Sequence, residues 1–205
     1  GNNQLTMDGS ITGNVVAASA TANGMIAAVA GDNFTVATTD AAGSTVTSAN
    51  ITYAADSGAN IVASAIDRAG ASVSVDAVAS NSATLSALSA AGTISFTLNT
   101  QTDDGDGTFT AVSANISAIV TDQNDLSAIV SAINGAQSTT GITADFTTAG
   151  NKSSITLSTS DGRNIGIGAF ANSTAGNDTV DFSGQTLTEG GTVAAVKTGT
   201  IELSS

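Results

Sequence analysis

NDLSAIVSAINGAQSTTGITADFTTAGNKSSITLSTSDGRNIGI, residues 124–167, is the stretch from which the fold can be read. Asn124 or Asp125 can accept a hydrogen bond from the first free backbone N–H groups of a helix, and Leu126, Ile129, Val130 and Ile133 then form one apolar stripe at i, i+3, i+4 and i+7. Gly135 follows the last stripe residue, so the helix is expected to stop there, where a left-handed residue needs no Cβ. Ile142, Ala144 and Phe146 alternate with Thr143, Asp145 and Thr147, as Ile155 and Leu157 do with Thr156 and Ser158, the period-two pattern of half-buried strands. Asp161-Gly162-Arg163-Asn164 supplies turn chemistry before a short strand through Ile165 and Ile167. The unit reads helix, strand, turn, strand.

Ala132-Ile133-Asn134, Thr140-Gly141-Ile142-Thr143-Ala144, Ile155-Thr156-Leu157 and Asp161-Gly162-Arg163-Asn164-Ile165, in that order and spacing, resemble the IN motif of the outer, variable domains of bacterial flagellins. The motif is found also in hook-associated and filament-cap proteins. The resemblance implies a module of a filament-forming, extracellular surface protein of the bacterial flagellum, serving motility. Its partners would be other filament subunits, met through polymerising helices outside this chain, with antibodies, phage or O-linked glycans on the exposed face. It carries over no catalytic, cofactor-binding or metal residue. Gly1 in place of an initiator Met fits a fragment or a processed chain.

Composition sets limits without any family knowledge. The 205 residues suffice for one large domain or two small ones. Hydrophobic residues make up 41% but aromatics only 3%, with no Trp and one Tyr, so the core must be built from Ala, Val, Ile and Leu. Small side chains bury little area each, at ~25 cal/mol per Å² of apolar surface, so stability has to come from many thin contacts and from sheet hydrogen bonds. Asp+Glu 17 against Lys+Arg 4 gives a formal net charge of −13. Such a surface repels phosphate backbones, which excludes nucleic acid as a partner class. Arg68, Lys152, Arg163 and Lys197 are scattered, which argues against docking on anionic membranes, and no apolar run is long enough to span a bilayer. Cysteine is absent, which removes disulfides and thiolate metal sites and is compatible with either redox compartment. Proline is absent as well, through compositional drift or because a chain exported unfolded gains from having no slow X-Pro isomerisation.

The sequence pattern of the central unit recurs earlier in the chain. Ile61-Val62-Ala63-Ser64-Ala65-Ile66-Asp67 parallels Ala128-Ile129-Val130-Ser131-Ala132-Ile133-Asn134 at an offset of 67 residues, and Val75-Asp76-Ala77 parallels Ile142-Thr143-Ala144 at the same offset. Ser48-Ala49-Asn50-Ile51 parallels Ser113-Ala114-Asn115-Ile116 at 65, and Phe34-Thr35-Val36 resembles Phe96-Thr97-Leu98. Fixed-period similarity predicts a repeated strand, strand, helix, strand, strand module, against chance matching in an Ala/Ser/Thr-biased chain. The expected organisation is a first IN-like module over 33–92 and a second over 93–168, with 1–32 and 169–205 supplying strands that complete the fold. Leu5-Thr6-Met7, Val15-Val16 and Met25 to Val29 are expected as short strands, although Ala27 to Ala30 is equally compatible with helix. Thr179-Val180-Asp181-Phe182, Thr192 to Val196 and Thr200-Ile201-Glu202-Leu203 are further expected strands, and the first and last strands should lie near each other. The predicted fold class is α+β, mostly antiparallel β with two short amphipathic helices.

Sites of chemistry are few. Asp103-Asp104-Gly105-Asp106-Gly107 offers hard oxygen ligands suited to Ca²⁺, or an acidic hairpin turn; the twelve-residue calcium-loop pattern is not met and no Glu closes it, which favours the turn. Histidine is absent, which removes the usual general base and every Ser-His arrangement. Paired carboxylates could hydrolyse glycosides, but Tyr53 and six Phe are thin material for sugar platforms, and Glu189 and Glu202 read as turn and strand-rim residues. Asn33, Asn50, Asn115, Asn151, Asn172 and Asn177 each open an Asn-X-Ser/Thr triplet, a pattern that Asn/Ser/Thr richness produces by chance. No residue is assigned a catalytic, cofactor or metal role. The expected function is structural, an acidic outer domain of a filament subunit, with a glycan- or subunit-binding module of an adhesin, hook-associated or cap protein as the alternative.

Overall fold

A computed structural model describes residues 9–17 and 33–205. The expected pieces at Leu5-Thr6-Met7 and Met25 to Val29 lie outside the described residues. In chain order the elements are β1 (Gly9–Ile11), β2 (Val15–Ala17), β3 (Asn33–Phe34), β4 (Ala37–Thr39), β5 (Thr45–Thr47), β6 (Ile51–Thr52), α1 (Ala59–Gly70), a 3-10 turn (Ala71–Val73), β7 (Asp76–Ser86), β8 (Gly92–Asp103) and β9 (Phe109–Val120). There follow α2 (Ser127–Gly135), α3 (Gln137–Thr140), β10 (Ile142–Thr148), β11 (Asn151–Thr159), β12 (Ile165–Asn172), β13 (Thr179–Phe182), β14 (Gln185–Thr188), β15 (Ala195–Lys197) and β16 (Thr200–Ser204). The class is α+β, and all strand pairs among the described residues are antiparallel.

Two sheets face each other. One runs β1-β16-β7-β11-β10, with β13 and β14 joined through β7; the other runs β2-β15-β12-β8-β9. Their inner faces come from period-two alternation: Ile94, Phe96 and Leu98 on β8, Ile116, Ala118 and Val120 on β9, Ile155 and Leu157 on β11, and Ile165 and Ile167 on β12 are all buried in one core. α2 packs against both β9 and β10, the adjacent edges of the two sheets. Leu126, Ile129 and Ile133 close that open side with the predicted stripe, and Val130 is half-buried beside them.

This helix starts and stops where the sequence places it. Of the two candidates, Asp125 accepts the first helical N–H, that of Ser127, through Oδ1 at 3.0 Å, together with the Ser127 hydroxyl, while the N-cap position itself is Leu126. α2 stops at Gly135 as expected, but without a left-handed residue there; after Ala136 the chain makes one further turn, α3, and the left-handed residue is Gly141, with φ +67°. Thr140 explains the extra turn, because its hydroxyl bonds back to the Ala136 carbonyl at 3.1 Å and its side chain is fully buried.

A second, smaller core lies under α1, where Ala59, Ala63 and Ile66 meet Val36, Ile51, Val73, Val75, Ala77 and Ile201. Small helix residues permit close approach to the sheet. One strand serves both cores: the inward face of β7 reads Ala77 and Ala79 against α1, then Asn81, then Ala83 and Leu85 inside the sandwich. Its partners change at the same point, β16 pairing with residues 76–80 and β11 with 81–86. β1 pairs with β16, Gly9 opposite Leu203, so the first and last described strands lie near each other, as expected, and side by side. The expected strand over Thr192 to Val196 is realised as Ala195–Lys197, and β14 was not anticipated.

Candidate functional site

Between the two cores runs a polar seam. Gln101, fully buried near the tip of the β8–β9 hairpin, accepts the Gly58 N–H through Oε1 at 2.6 Å and donates from Nε2 to the Asp56 carbonyl at 2.6 Å. Its own carbonyl accepts Asn60 Nδ2 at 3.0 Å, and the Ala54 N–H reaches the Gly107 carbonyl at 2.8 Å. The hairpin is thereby tied to the start of α1. Position 58 is tightly packed: a Cβ there would stand 3.0 Å from side-chain atoms of both Asn164 and Asn60.

The seam continues at Asn81. Its Nδ2 donates to the carbonyls of Arg163 at 3.0 Å and Lys197 at 2.8 Å, so the β11–β12 turn and the end of β15 are fastened to β7 by one side chain. Lys197 Nζ in turn donates to Asn81 Oδ1 at 3.2 Å and to the Thr198 carbonyl at 3.1 Å. Burial holds the Lys197 ammonium below the usual lysine range. This contact is open to a polar groove of about 340 Å³ walled by Ser80, Ser82, Ser158, Thr159 and Thr200.

Arg163 fixes the turn predicted at 161–164. Its guanidinium is bidentate to Asp161, Nε to Oδ1 at 2.9 Å and Nη2 to Oδ2 at 2.8 Å, and Nη1 donates to the Thr140 carbonyl at 2.9 Å, capping α3. Burial pushes the Asp161 carboxyl up, but the hydrogen bonds and charge of Arg163 together outweigh it and leave the pKa below the ordinary aspartate value.

The acidic turn at 103–107 is a hairpin tip. Asp103 Oδ1 accepts the Gly105 N–H at 2.9 Å, Asp106 Oδ1 accepts the Thr108 N–H at 3.0 Å, and Asp104 Oδ1 accepts the Thr110 hydroxyl at 3.0 Å. The Thr108 hydroxyl and N–H hold the Asp106 pKa below its ordinary value. Among the described residues no cluster of acidic side chains has the arrangement of a metal site. A separate groove of about 220 Å³ lies over α1, where Phe34 and Tyr53 meet edge to face with ring centres 6.4 Å apart, beside Asn14, Val62 and Ile201.

Sequence reasoning singled out the acidic turn and passed over Gln101, Asn81 and Lys197. The available signal was local: Asn81 interrupts an alternating stripe of Ala77, Ala79, Ala83 and Leu85, and Lys197 ends an apolar run from Val193.

No family model matches the chain, so the IN-motif resemblance rests on the residues quoted for it, and no curated protein matches either. Among solved structures the chain is similar to the flagellar cap protein FliD, domains D1-D2-D3, from Escherichia coli, at 12% identity and a TM-score of 0.23, over 63% of this chain and 53% of that one. Among the described residues no helix is long and apolar enough to cross a membrane.

Proposed function

We propose that the chain is a structural module, the solvent-facing outer domain of a bacterial flagellar filament subunit, displayed outside the cell. The observation that carries this reading is that the residues of the IN resemblance pack as one unit. Asn134 bonds both backbone groups of Ala144. Arg163 bonds the Thr140 carbonyl, so the helix, the hairpin and the following turn are tied together. A surface of net charge −13 then limits filament aggregation, acting over about 8 Å at physiological salt and so only between touching filaments.

In the proposal the module is used twice. Asp67 Oδ1 accepts the Ala77 N–H at 2.7 Å just as Asn134 Oδ1 accepts that of Ala144 at 2.7 Å, again 67 residues apart. The sheet pairing differs: β10 is paired with β11, the next strand, whereas β7 is paired with β16 and β11. Superposing 33–90 on 95–160 tests the duplication.

The groove beside Phe34 and Tyr53 favours a second reading, a binding module of a surface adhesin or of a hook-associated or cap protein. In-frame removal of this region from its parent protein separates the two. Filaments that still assemble and propel the cell fit the display role; lost attachment or lost assembly fits the binding role. Neither reading includes catalysis, and turnover in a glycosidase panel would overturn both.

A further inference from the structure

Lys197 is at odds with the electrostatics around it. In a chain with Asp+Glu 17 against Lys+Arg 4, Arg163 and Lys152 meet Asp161 and Asp125, yet among the described residues the Lys197 ammonium has only neutral acceptors, Asn81 Oδ1 and the Thr198 carbonyl. An ammonium has three donors, so one is left over. Exposed lysines ordinarily leave the charge free in water on a flexible stem. Here Asn81, 7% exposed, fixes it: both carbonyls held by Nδ2 lock the amide so that Oδ1 faces Nζ. The result is a pinned, half-buried cation with no counter-charge among the described residues, at one wall of a groove otherwise lined by Ser, Thr and Asn residues.

We propose that this groove binds a carboxylate-bearing sugar of the uronic acid class, the carboxylate on Lys197 Nζ and the sugar hydroxyls on the Ser and Thr walls. A monoanion matches the single positive charge; a dianionic phosphate would leave excess negative charge in a field that already repels it. The hydroxyls of Ser80, Ser82, Ser158, Thr159 and Thr200 both donate and accept, as sugar hydroxyls do. The groove volume of about 340 Å³ accommodates one monosaccharide. Because Lys197 is already held in place, little side-chain entropy is lost on binding. The inference is independent of the filament reading.

Titration of the whole chain with D-glucuronate, followed by calorimetry and by the NMR shift of the lysine ε-methylenes, tests it. Saturable binding near about 1 mM is expected, as suits a small ligand in an open site. Glucose, acetate and inorganic phosphate should each bind about tenfold more weakly or not at all. Lys197→Met, which keeps the aliphatic stem, should weaken glucuronate binding about tenfold or more. Ser82 is exposed, so Ser82→Glu leaves folding intact while placing a repelling carboxylate on the wall, and it decides the matter if Lys197→Met does not fold. No saturation at tens of millimolar glucuronate, equal binding of glucose, tighter binding of phosphate, or wild-type affinity in the folded variants overturns the proposal.

Discussion

Asn134 holds Ala144 by both of its backbone groups: Nδ2 donates to the carbonyl at 2.9 Å and Oδ1 accepts the N–H at 2.7 Å. Ala144 is 7% exposed, so removing the amide strands two polar groups with little access to water. Asn134→Ala should cost about 2 kcal/mol in urea unfolding, and Asn134→Asp, which keeps only the acceptor, about half as much at neutral pH. Asp67→Ala should cost less than Asn134→Ala, because the carboxylate makes one bond of this kind, to Ala77, where the amide makes two. Equal losses at the two positions would count against a clamp of unequal strength.

Gln101 ties the hairpin tip to the first turn of α1 with both ends of a fully buried amide. Gln101→Leu retains volume but leaves the Gly58 N–H and the Asp56 carbonyl unpaired. A loss of about 2–3 kcal/mol is expected. Hydrogen exchange should show the change concentrated in 54–60, with the sandwich core around Leu157 less affected. Uniform acceleration would mean that the seam is not a local tie.

Folding lowers the Asp161 pKa, so its stabilisation is present above the ordinary aspartate value of 3.8 and is lost as pH falls through the depressed value. Asp161→Asn should therefore be less stable than wild type at pH 7, and the difference should close on acidification. Chemical denaturation at several pH values checks this; a gap that widens below pH 4 contradicts it.

Gly141 combines φ +67° with a close neighbour: an added Cβ would stand 2.6 Å from Arg163 Nη1. Gly141→Ala should cost about 1–3 kcal/mol through backbone strain and the displaced guanidinium. Gly105→Ala, also at positive φ but with open space around it, should cost only the strain component.

At the 103–107 tip, Asp103, Asp104 and Asp106 each hold an N–H or hydroxyl of their own hairpin. Calcium would have to displace those bonds. Millimolar Ca²⁺ should leave the melting temperature unchanged; a clear upward shift would establish a site there.

Legibility in the sequence followed how local each determinant is. The α2 stripe, the 142–159 hairpin and the 161–164 turn are set by residues a few positions apart, and their periodicities name them. The further turn to the left-handed Gly141 was not readable because it depends on Thr140 and Arg163, the second of which arrives from 23 residues away. The polar seam was hidden for the same reason: Asn81 contacts Lys197 across 116 residues, and nothing in the string brings the two together. Strand identity was readable from alternation, and so was the 142–159 hairpin, whereas the partners of β7 were not, since it finds β16 and β11 rather than its neighbour in sequence.

The antiparallel ladder between Gly9–Ile11 and Thr200–Ser204 sets how the molecule responds to tension. Because the start of one strand lies beside the end of the other, pulling on the two chain ends peels the ladder open rung by rung instead of shearing all its bonds together. Tension applied across Gly9 and Ser204 would part these two strands at low force, before the sandwich around Leu157 yields.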